Sequence, residues 1–136
     1  MSKKRTYLQD SEKNTYELIQ MVREGIDYYS FSGLFKKVPF SLTEWSRILS
    51  ISERTLQRYR KEKRRFSPSQ SEKIIQISLL YQYGIEVFGN AEKFITWLTT
   101  ENTALGGTVP KDFLDNTFGI RLVRDELSRI EHGVLA

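Results

Sequence analysis

Apolar residues recur every three or four positions along most of the chain, which is the spacing of amphipathic α-helices. In chain order the pattern predicts helices over 11–24 and 26–37, one capped by Ser41, one capped by Ser52, then 67–88, 91–99, 110–114 and a last one from Thr117 to a stop at Gly133. No segment keeps the strict alternation of apolar and polar residues that a half-buried strand requires. The predicted fold class is therefore all-α.

Capping residues mark several of the predicted boundaries. Ser41 followed by Glu44 has the pattern of a capping box, and Ser52 has that of a second N-cap. Thr108 is expected to cap the helix that Pro110 opens. Residues 106–107, both glycine, are expected to form a tight loop that needs either a positive φ or a close backbone contact.

The composition allows a packed interior and removes several kinds of site. A chain of 136 residues has room for one ordinary domain or two small helical ones, and 39% of it is hydrophobic. The absence of cysteine excludes disulfides, thiolate zinc sites and cysteine nucleophiles. These figures leave no room for a large multidomain enzyme.

The sequence also bears on where the protein resides. Its longest apolar stretches, such as 74–80, fall well short of the roughly 20 residues that a membrane span needs. The basic start, residues 3–5, precedes a polar segment rather than the apolar core of a secretion signal. We therefore expect a cytoplasmic protein without membrane contact, with residues 1–10 as a flexible tail.

Positive charge is concentrated in one window. The formal net charge is +4, yet residues 54–65 alone hold seven Lys or Arg against one Glu, a net of +6. Residues 86–136 carry eight acids and five bases, a net of −3. A basic segment followed by a mildly acidic one suggests two different partners.

Residues 42–61 resemble a helix-turn-helix, in which two helices cross steeply over a tight turn. The positions that hold the two helices together have the expected types and spacing: Ser46, Ile51, Leu56 and Tyr59. One departure is Ser50, which replaces the usual turn glycine. It must adopt a left-handed conformation at a cost of about 1 kcal/mol or shift the turn.

The outer face of the second helix coincides with the basic window, which favours DNA binding over an ordinary helical hairpin with a solvated basic side. The predicted DNA-binding residues are Ser52, Arg54, Thr55, Gln57, Arg58, Lys61, Lys63, Arg64 and Arg65. The outward-facing residues of base-reading type are Glu53, Arg54, Gln57, Arg58 and Lys61. Those better placed to hold phosphates are Arg60, Lys63, Arg64 and Arg65. Because one such helix rarely gives useful affinity, we expect a homodimer on a partly palindromic operator.

The last forty residues resemble the toxin-binding domain of the Xre/MbcA/ParS antitoxins, whose partners are RES-domain toxins. The matching features are Trp97-Leu98, Asn102-x-Ala104-Leu105-Gly106-Gly107, Pro110, Phe113-Leu114, Gly119 and Arg129-Ile130-Glu131-His132-Gly133-Val134. The block 55–58 followed by Ser67-Pro68 is similar to the DNA-binding half of the same family. The resemblance spans roughly residues 15–136.

The resemblance implies a domain order and a second function. It places a helix-turn-helix domain at 11–89 and a toxin-binding domain at 90–136, whose C-terminal region occludes the active site of an NAD-consuming or ADP-ribosylating toxin. The residues it assigns to toxin binding are Trp97, Asn102, Leu105, Gly106, Gly107, Pro110, Arg129, Glu131, His132, Gly133, Val134, Leu135 and Ala136. Residues 134–136 are small and mostly apolar, which suits a segment that enters a pocket.

Catalysis is the least favoured function. His132 is the only histidine, no nucleophile is matched to it, and no metal-ligand set or raised-pKa carboxylate pair is evident. We expect a non-enzymatic protein with no cofactor and no metal. The alternative from another class is a stand-alone helix-turn-helix regulator whose C-terminal third binds a small ligand or dimerises.

Overall fold

The computed structural model describes residues 14–133, and within them the chain is helical. The α-helices are α1 Thr15–Glu24, α2 Tyr28–Lys37, α3 Leu42–Leu49, α4 Glu53–Glu62, α5 Pro68–Phe88, α6 Ala91–Leu98 and α7 Thr117–Glu131, with 3₁₀ helices at Thr103–Leu105 and Pro110–Phe113. The only β pairing in this range is an isolated bridge between Asn102 and Thr108. The all-α prediction is confirmed. None of the described helices is both long enough and apolar enough to span a membrane.

The first two helices begin later than predicted. Asn14 has extended backbone and caps α1, accepting from the amide of Glu17 at 2.9 Å while the Glu17 carboxylate accepts from the Asn14 amide at 3.1 Å. The predicted start at Ser11 is therefore wrong, and residues 11–13 lie outside the described part. The start at Ile26 is also wrong, because Asp27 caps α2 by accepting from the Ser30 amide at 2.8 Å.

Two of the three predicted caps are confirmed. Ser41 and Glu44 form the capping box at α3, with hydrogen bonds of 3.1 and 2.9 Å. Ser52 caps α4 by accepting from the amide of Thr55 at 3.0 Å. The third is wrong: Val109 precedes the 3₁₀ helix, which has no side-chain cap, and the Thr108 carbonyl accepts from Asn102.

The chain forms two compact units, one ending at Leu79 and one beginning at Leu80, so the boundary lies inside α5. The core of the first unit centres on Phe31. Its ring packs edge-on against Trp45 and at a steep angle against Phe66, with centroid distances of 5.0 Å in both cases. These contacts join α2 to α3 and to the segment after α4.

The second unit is built on close helix packing. The ring of Phe94 on α6 lies against α5 so tightly that a Cβ on Gly84 would be 2.3 Å from it. A Cβ on Gly119 would be 1.8 Å from the Phe113 carbonyl oxygen. The second contact fixes the start of α7 against the preceding 3₁₀ helix.

Candidate functional site

The turn between α3 and α4 adopts the strained alternative that the sequence left open. Ser50 has φ 58° and ψ 40°, which is left-handed backbone. The Ser50 amide donates to the Arg47 carbonyl at 3.2 Å, and the Ile51 amide donates to the Ser46 carbonyl at 3.0 Å. The turn thus keeps the helix-turn-helix geometry without a glycine.

A side-chain hydrogen bond ties the beginnings of the two helices together. The Thr43 hydroxyl donates to the Glu53 carboxylate at 2.6 Å. The predicted inward residue Leu56 is fully buried, as is Trp45 on α3. Glu53, which the sequence placed among base-reading types, is instead held by α3.

The exposed face of α4 carries a stripe of cations. At about 100° per residue, Arg54, Arg58 and Lys61 lie within roughly 60° of one another and opposite the buried Leu56. All three side chains are exposed, and Gln57 is exposed beside them. The structure therefore brings these four predicted DNA-binding residues to one surface.

Ser52 and Thr55 occupy the start of α4 rather than its outer stripe. The Ser52 hydroxyl donates to the Thr55 hydroxyl oxygen at 2.9 Å, in addition to capping the helix. Capping the Thr55 amide fixes the helix end whose partial positive charge favours an anion. Their geometry suits positioning α4 more than reading bases.

The basic residues after α4 differ in whether their side chains contact other parts of the protein. Lys63 is exposed and ends the helix in left-handed backbone with φ 56°. The Arg64 guanidinium lies 5.3 Å from the Tyr59 ring centroid and 3.5 Å from Glu62. Arg65 is engaged within the protein, because its guanidinium donates to the Gly25 carbonyl at 2.6 Å.

The Arg65 contact belongs to a small network that sequence reasoning missed. The amide of Phe66 donates to the Ile26 carbonyl at 2.9 Å, and the Ile26 amide donates to the Ser71 hydroxyl at 2.8 Å. Gly25 has φ 86°, and a Cβ there would be 2.4 Å from the Phe66 carbonyl oxygen. The signal in the sequence is the lone Gly25 between two helices, which a close backbone approach explains.

In the second unit, Asn102 organises the predicted glycine loop. Its carbonyl accepts from Leu105 at 3.0 Å and from Gly107 at 2.8 Å, and its side chain accepts from the Ala104 amide at 2.9 Å. Gly106 and Gly107 have φ of 73° and 81°, which is the positive-φ alternative of the predicted loop. The loop is therefore held by its own hydrogen bonds.

The predicted toxin-binding residues of this region divide by exposure. Leu105 and Pro110 are buried, so in this conformation they support the loop instead of offering surface. Trp97 is half-buried, with its ring centroid 6.1 Å from that of Phe94. Together with Asn102 it lines a mostly apolar recess of about 610 Å³.

The end of α7 is ordered by polar contacts. Arg129 pairs with Glu126 at 2.7 Å, and the His132 ring donates from Nδ1 to the Ser128 carbonyl at 2.8 Å. Glu131 accepts from the Tyr83 hydroxyl at 2.5 Å. Gly133 follows in left-handed backbone with φ 65°, and the predicted residues 134–136 lie outside the described part.

The Tyr83 phenol responds to this contact. The hydrogen bond to Glu131 raises the pKa of Tyr83 above its usual 10.0, and desolvation adds to that rise. A hydrogen bond with Ser128 and the charge of Arg124 act in the opposite direction.

Between residues 14 and 133 no three His, Cys, Asp or Glu side chains gather into a metal-binding group.

Sequence reasoning also missed an exposed apolar pair on α7. Phe118 is 82% exposed and Leu122 is 40% exposed. They lie on the side of the helix opposite its buried apolar side chains, which are Ile120, Val123 and Leu127. The signal was present in the sequence, since both residues fall outside the periodic core face.

Two family models match nearly all of the described chain. Residues 84–133 match the "Antitoxin Xre/MbcA/ParS C-terminal toxin-binding domain". Residues 17–78 match the "Antitoxin Xre-like helix-turn-helix domain". The two matches correspond to the regions singled out above.

Similar proteins carry related descriptions. A protein named Antitoxin Xre from Yersinia enterocolitica is 30% identical over 122 residues, covering 88% of this chain and 81% of its own length. Antitoxin Xre from Photorhabdus laumondii is 28% identical over 91 residues, covering 66% of this chain and 62% of its own length. A chain in the crystal structure of the M. tuberculosis MbcT–MbcA toxin–antitoxin complex shares the fold, with a TM-score of 0.58 at 17% identity, over 78% of this chain and 94% of that one.

Proposed function

Because this chain belongs to the Xre/MbcA/ParS family of antitoxins, we propose that it neutralises a RES-domain toxin by covering its active site and represses its own operator. Family membership makes it the antitoxin of a toxin–antitoxin system, with a toxin-binding domain at 84–133. That result sets aside the alternative of a stand-alone regulator. The identity of the toxin, the occlusion and the operator are the proposed parts.

The cationic stripe on α4 carries the DNA part of the proposal. A helix of ten residues is about 15 Å long, and the major groove is about 12 Å wide, so α4 can lie in the groove with Arg54 and Arg58 toward the bases. Gln57 stands beside them with the donor and acceptor that adenine requires. These three residues are assigned to base reading.

The remaining predicted DNA residues have supporting roles. Lys61, Lys63 and Arg64 are exposed at the later part of α4 and its end, where they can contact phosphates. Ser52 and Thr55 hold the start of α4. Arg65 holds the chain after α4 through Gly25 and acts as a structural residue.

The DNA-binding form is proposed to be a homodimer. One recognition helix contacts only a few base pairs, so two copies on half-sites about one helical turn apart give the affinity that a repressor needs. Two-fold symmetry of the protein then requires a partly palindromic operator. Sedimentation of the bound complex reports this stoichiometry directly.

The toxin part rests on the second unit. Residues 86–136 carry a net charge of −3, which complements a toxin cleft that binds the pyrophosphate of NAD. α7 ends at Glu131, where its last turn is held by polar contacts, and we assign the residues that follow, 133–136, to the cleft. The surface that would accompany this contact with the toxin consists of Trp97, Asn102 and the loop at 106–107. The segment assigned to the cleft is flanked by Arg129, Glu131 and His132.

The DNA proposal is tested by fluorescence anisotropy with the duplex upstream of the gene and a scrambled duplex. Wild-type protein should prefer the upstream duplex, and the Arg54→Ala/Arg58→Ala variant should lose about 30-fold or more in affinity. The matched control is Lys93→Ala/Arg121→Ala, which removes the same charge from exposed sites of the second unit. Equal losses in the two variants, or no preference by the wild type, would contradict the proposal.

The toxin proposal is tested by co-expression with the product of the adjacent gene. Wild-type protein should restore growth and cellular NAD, and a variant without Val134–Ala136 should fail while still binding DNA. The Arg54→Ala/Arg58→Ala variant is the reciprocal control and should protect fully when both genes are driven by a foreign promoter. Full protection by the truncated variant would contradict occlusion by these residues.

A further inference from the structure

The outward ridge of α7 has an unusual composition. At about 100° per residue, Phe118, Leu122, Asp125 and Arg129 lie within roughly 60° of one another. The buried apolar side chains of α7 lie on the other side of the helix, so this ridge points directly away from the core. An amphipathic helix is expected to be polar there. Phe118 nevertheless exposes 82% of its surface, with Leu122 one turn later.

The ridge is also rigidly supported. Asn116 caps α7 by accepting from the Gly119 amide at 2.8 Å. The backbone of Gly119 lies against the Phe113 carbonyl with no space for a Cβ. A phenyl ring on a fixed helix start loses little conformational entropy on binding, and aromatic side chains dominate the energetics of protein interfaces.

We propose that this ridge is a second contact with the toxin, in which Phe118 enters an apolar recess beside the toxin's cleft and Leu122 covers its rim. The inference rests on the proposed function, because it takes the toxin as the partner of the second unit. It adds an anchor outside the segment assigned to the cleft. Arg129, at the far end of the ridge, contributes a polar rim.

Distances along α7 place both contacts in one interface. The helix ends at Glu131, and the segment assigned to the cleft begins two residues later. At 1.5 Å per residue, Leu122 is about 14 Å and Phe118 about 20 Å from that end. A stable interface buries about 800 Å² on each partner, which is a patch roughly 30 Å across. One interface of that size can include both the ridge and the segment assigned to the cleft.

The composition of the ridge favours the toxin over a second copy of this chain. Homodimer interfaces are larger and more apolar than others, whereas this ridge offers two apolar side chains followed by Asp125 and Arg129. An apolar anchor with a charged rim is typical of contacts between proteins that also exist apart. The second copy is therefore treated as an outcome of the test.

The test compares toxin affinities by biolayer interferometry, using the full chain with residues 133–136 intact. The variant Phe118→Ser/Leu122→Ser should bind about 30-fold more weakly than wild type, mainly through faster dissociation. Tyr29→Ser is the matched control, since Tyr29 is 75% exposed but lies on α2 of the first unit. Tyr29→Ser should change the affinity for the toxin less than about twofold. Phe118→Leu, which keeps an apolar side chain at that position, should bind the toxin more tightly than Phe118→Ser/Leu122→Ser does.

The other outcomes separate this inference from the proposed function. Unchanged affinity in the ridge variant, together with loss of binding when Val134–Ala136 is removed, would overturn the ridge contact and leave occlusion standing. No association between wild type and the toxin would overturn both. A change in the oligomeric state of the ridge variant without toxin, measured by sedimentation, would show that a second copy covers the ridge and would also overturn the inference. Equal melting temperatures of variant and wild type confirm that the fold is intact.

Discussion

The guanidinium of Arg65 donates a hydrogen bond of 2.6 Å to the backbone carbonyl of Gly25, forty residues earlier in the chain. Beside it the amide of Phe66 donates to the Ile26 carbonyl at 2.9 Å. The segment that follows α4 is thus anchored to the turn between α1 and α2. One cation of the basic window therefore serves the fold while its neighbours face solvent.

Replacing Arg65 by alanine should lower the free energy of unfolding by about 1.5–3 kcal/mol, because a charge-assisted hydrogen bond is lost and the Gly25 carbonyl loses its partner. Arg64→Ala is the matched control and should cost less than about 1 kcal/mol, since its ion pair with Glu62 is exposed. Urea denaturation measures both. Equal effects in the two variants would show that the Arg65 contact does not stabilise the protein.

The contact between Gly119 and Phe113 predicts a severe effect of a single methyl group. Gly119→Ala would place a Cβ 1.8 Å from a backbone oxygen, so α7 must shift. We expect a loss of about 3 kcal/mol or more in unfolding free energy. Gly33→Ala on α2 is the control: its Cβ meets nothing within 4 Å, and the change should stabilise the helix by about 0.5–1 kcal/mol. A Gly119→Ala protein as stable as wild type would contradict this packing.

The left-handed Ser50 predicts a stabilising substitution in the helix-turn-helix. Ser50→Gly should raise the free energy of unfolding by roughly 0.5–1 kcal/mol, because glycine adopts φ near 58° without strain. Ser50→Ala retains the Cβ and should differ from wild type by less than about 0.5 kcal/mol. Thermal unfolding distinguishes the two variants. Destabilisation by glycine would mean that the serine side chain is needed in the turn.

Local signals in the sequence predicted local structure well. The caps at Ser41 and Ser52 and the turn at Ser50 depend on residues within a few positions, and all three are found. The start of α1 was placed too early because residues 11–14 are all polar, so apolar spacing does not locate the boundary. Asn14 followed by Glu17 is itself a capping-box pattern and marks the true start.

Contacts between distant segments could not be predicted in the same way. Nothing near Arg65 in the sequence indicates Gly25 as its partner, so charge alone assigned it to phosphate binding. The period of α7 leaves Phe118 outside the core face of the helix, but it does not show whether another segment covers the ring there. The partner of Arg65 and the exposure of Phe118 both depend on how distant segments pack, which a pattern along one helix does not encode.

The contact between Tyr83 and Glu131 predicts a dependence on pH. Its hydrogen bond to Glu131, more than burial, raises the pKa of Tyr83, so the folded state holds the phenol proton more tightly than the unfolded chain does. The stabilisation is fully present below the ordinary pKa of 10.0 and is lost as the pH rises through the raised pKa. Glu131→Gln should bring the pKa of Tyr83 back toward 10.0, as followed by NMR of labelled tyrosine, whereas Glu126→Gln should not. An unchanged titration in Glu131→Gln would contradict the assigned cause.

The hydrogen bond from Thr43 to Glu53 predicts that this carboxylate stabilises the helix pair instead of reading a base. Glu53→Gln keeps an acceptor and removes a negative charge that would lie near the phosphates in the proposed DNA complex, so it should tighten binding to specific and scrambled duplexes alike, by about threefold. A glutamate that accepts a hydrogen bond from cytosine would behave differently, because its loss would weaken binding to the specific duplex only. Thr43→Val is the complementary variant: it should lower the unfolding free energy by about 1 kcal/mol and leave the ratio of specific to scrambled affinity unchanged. Anisotropy titrations with both duplexes therefore decide whether Glu53 acts on the fold or on the sequence of the operator.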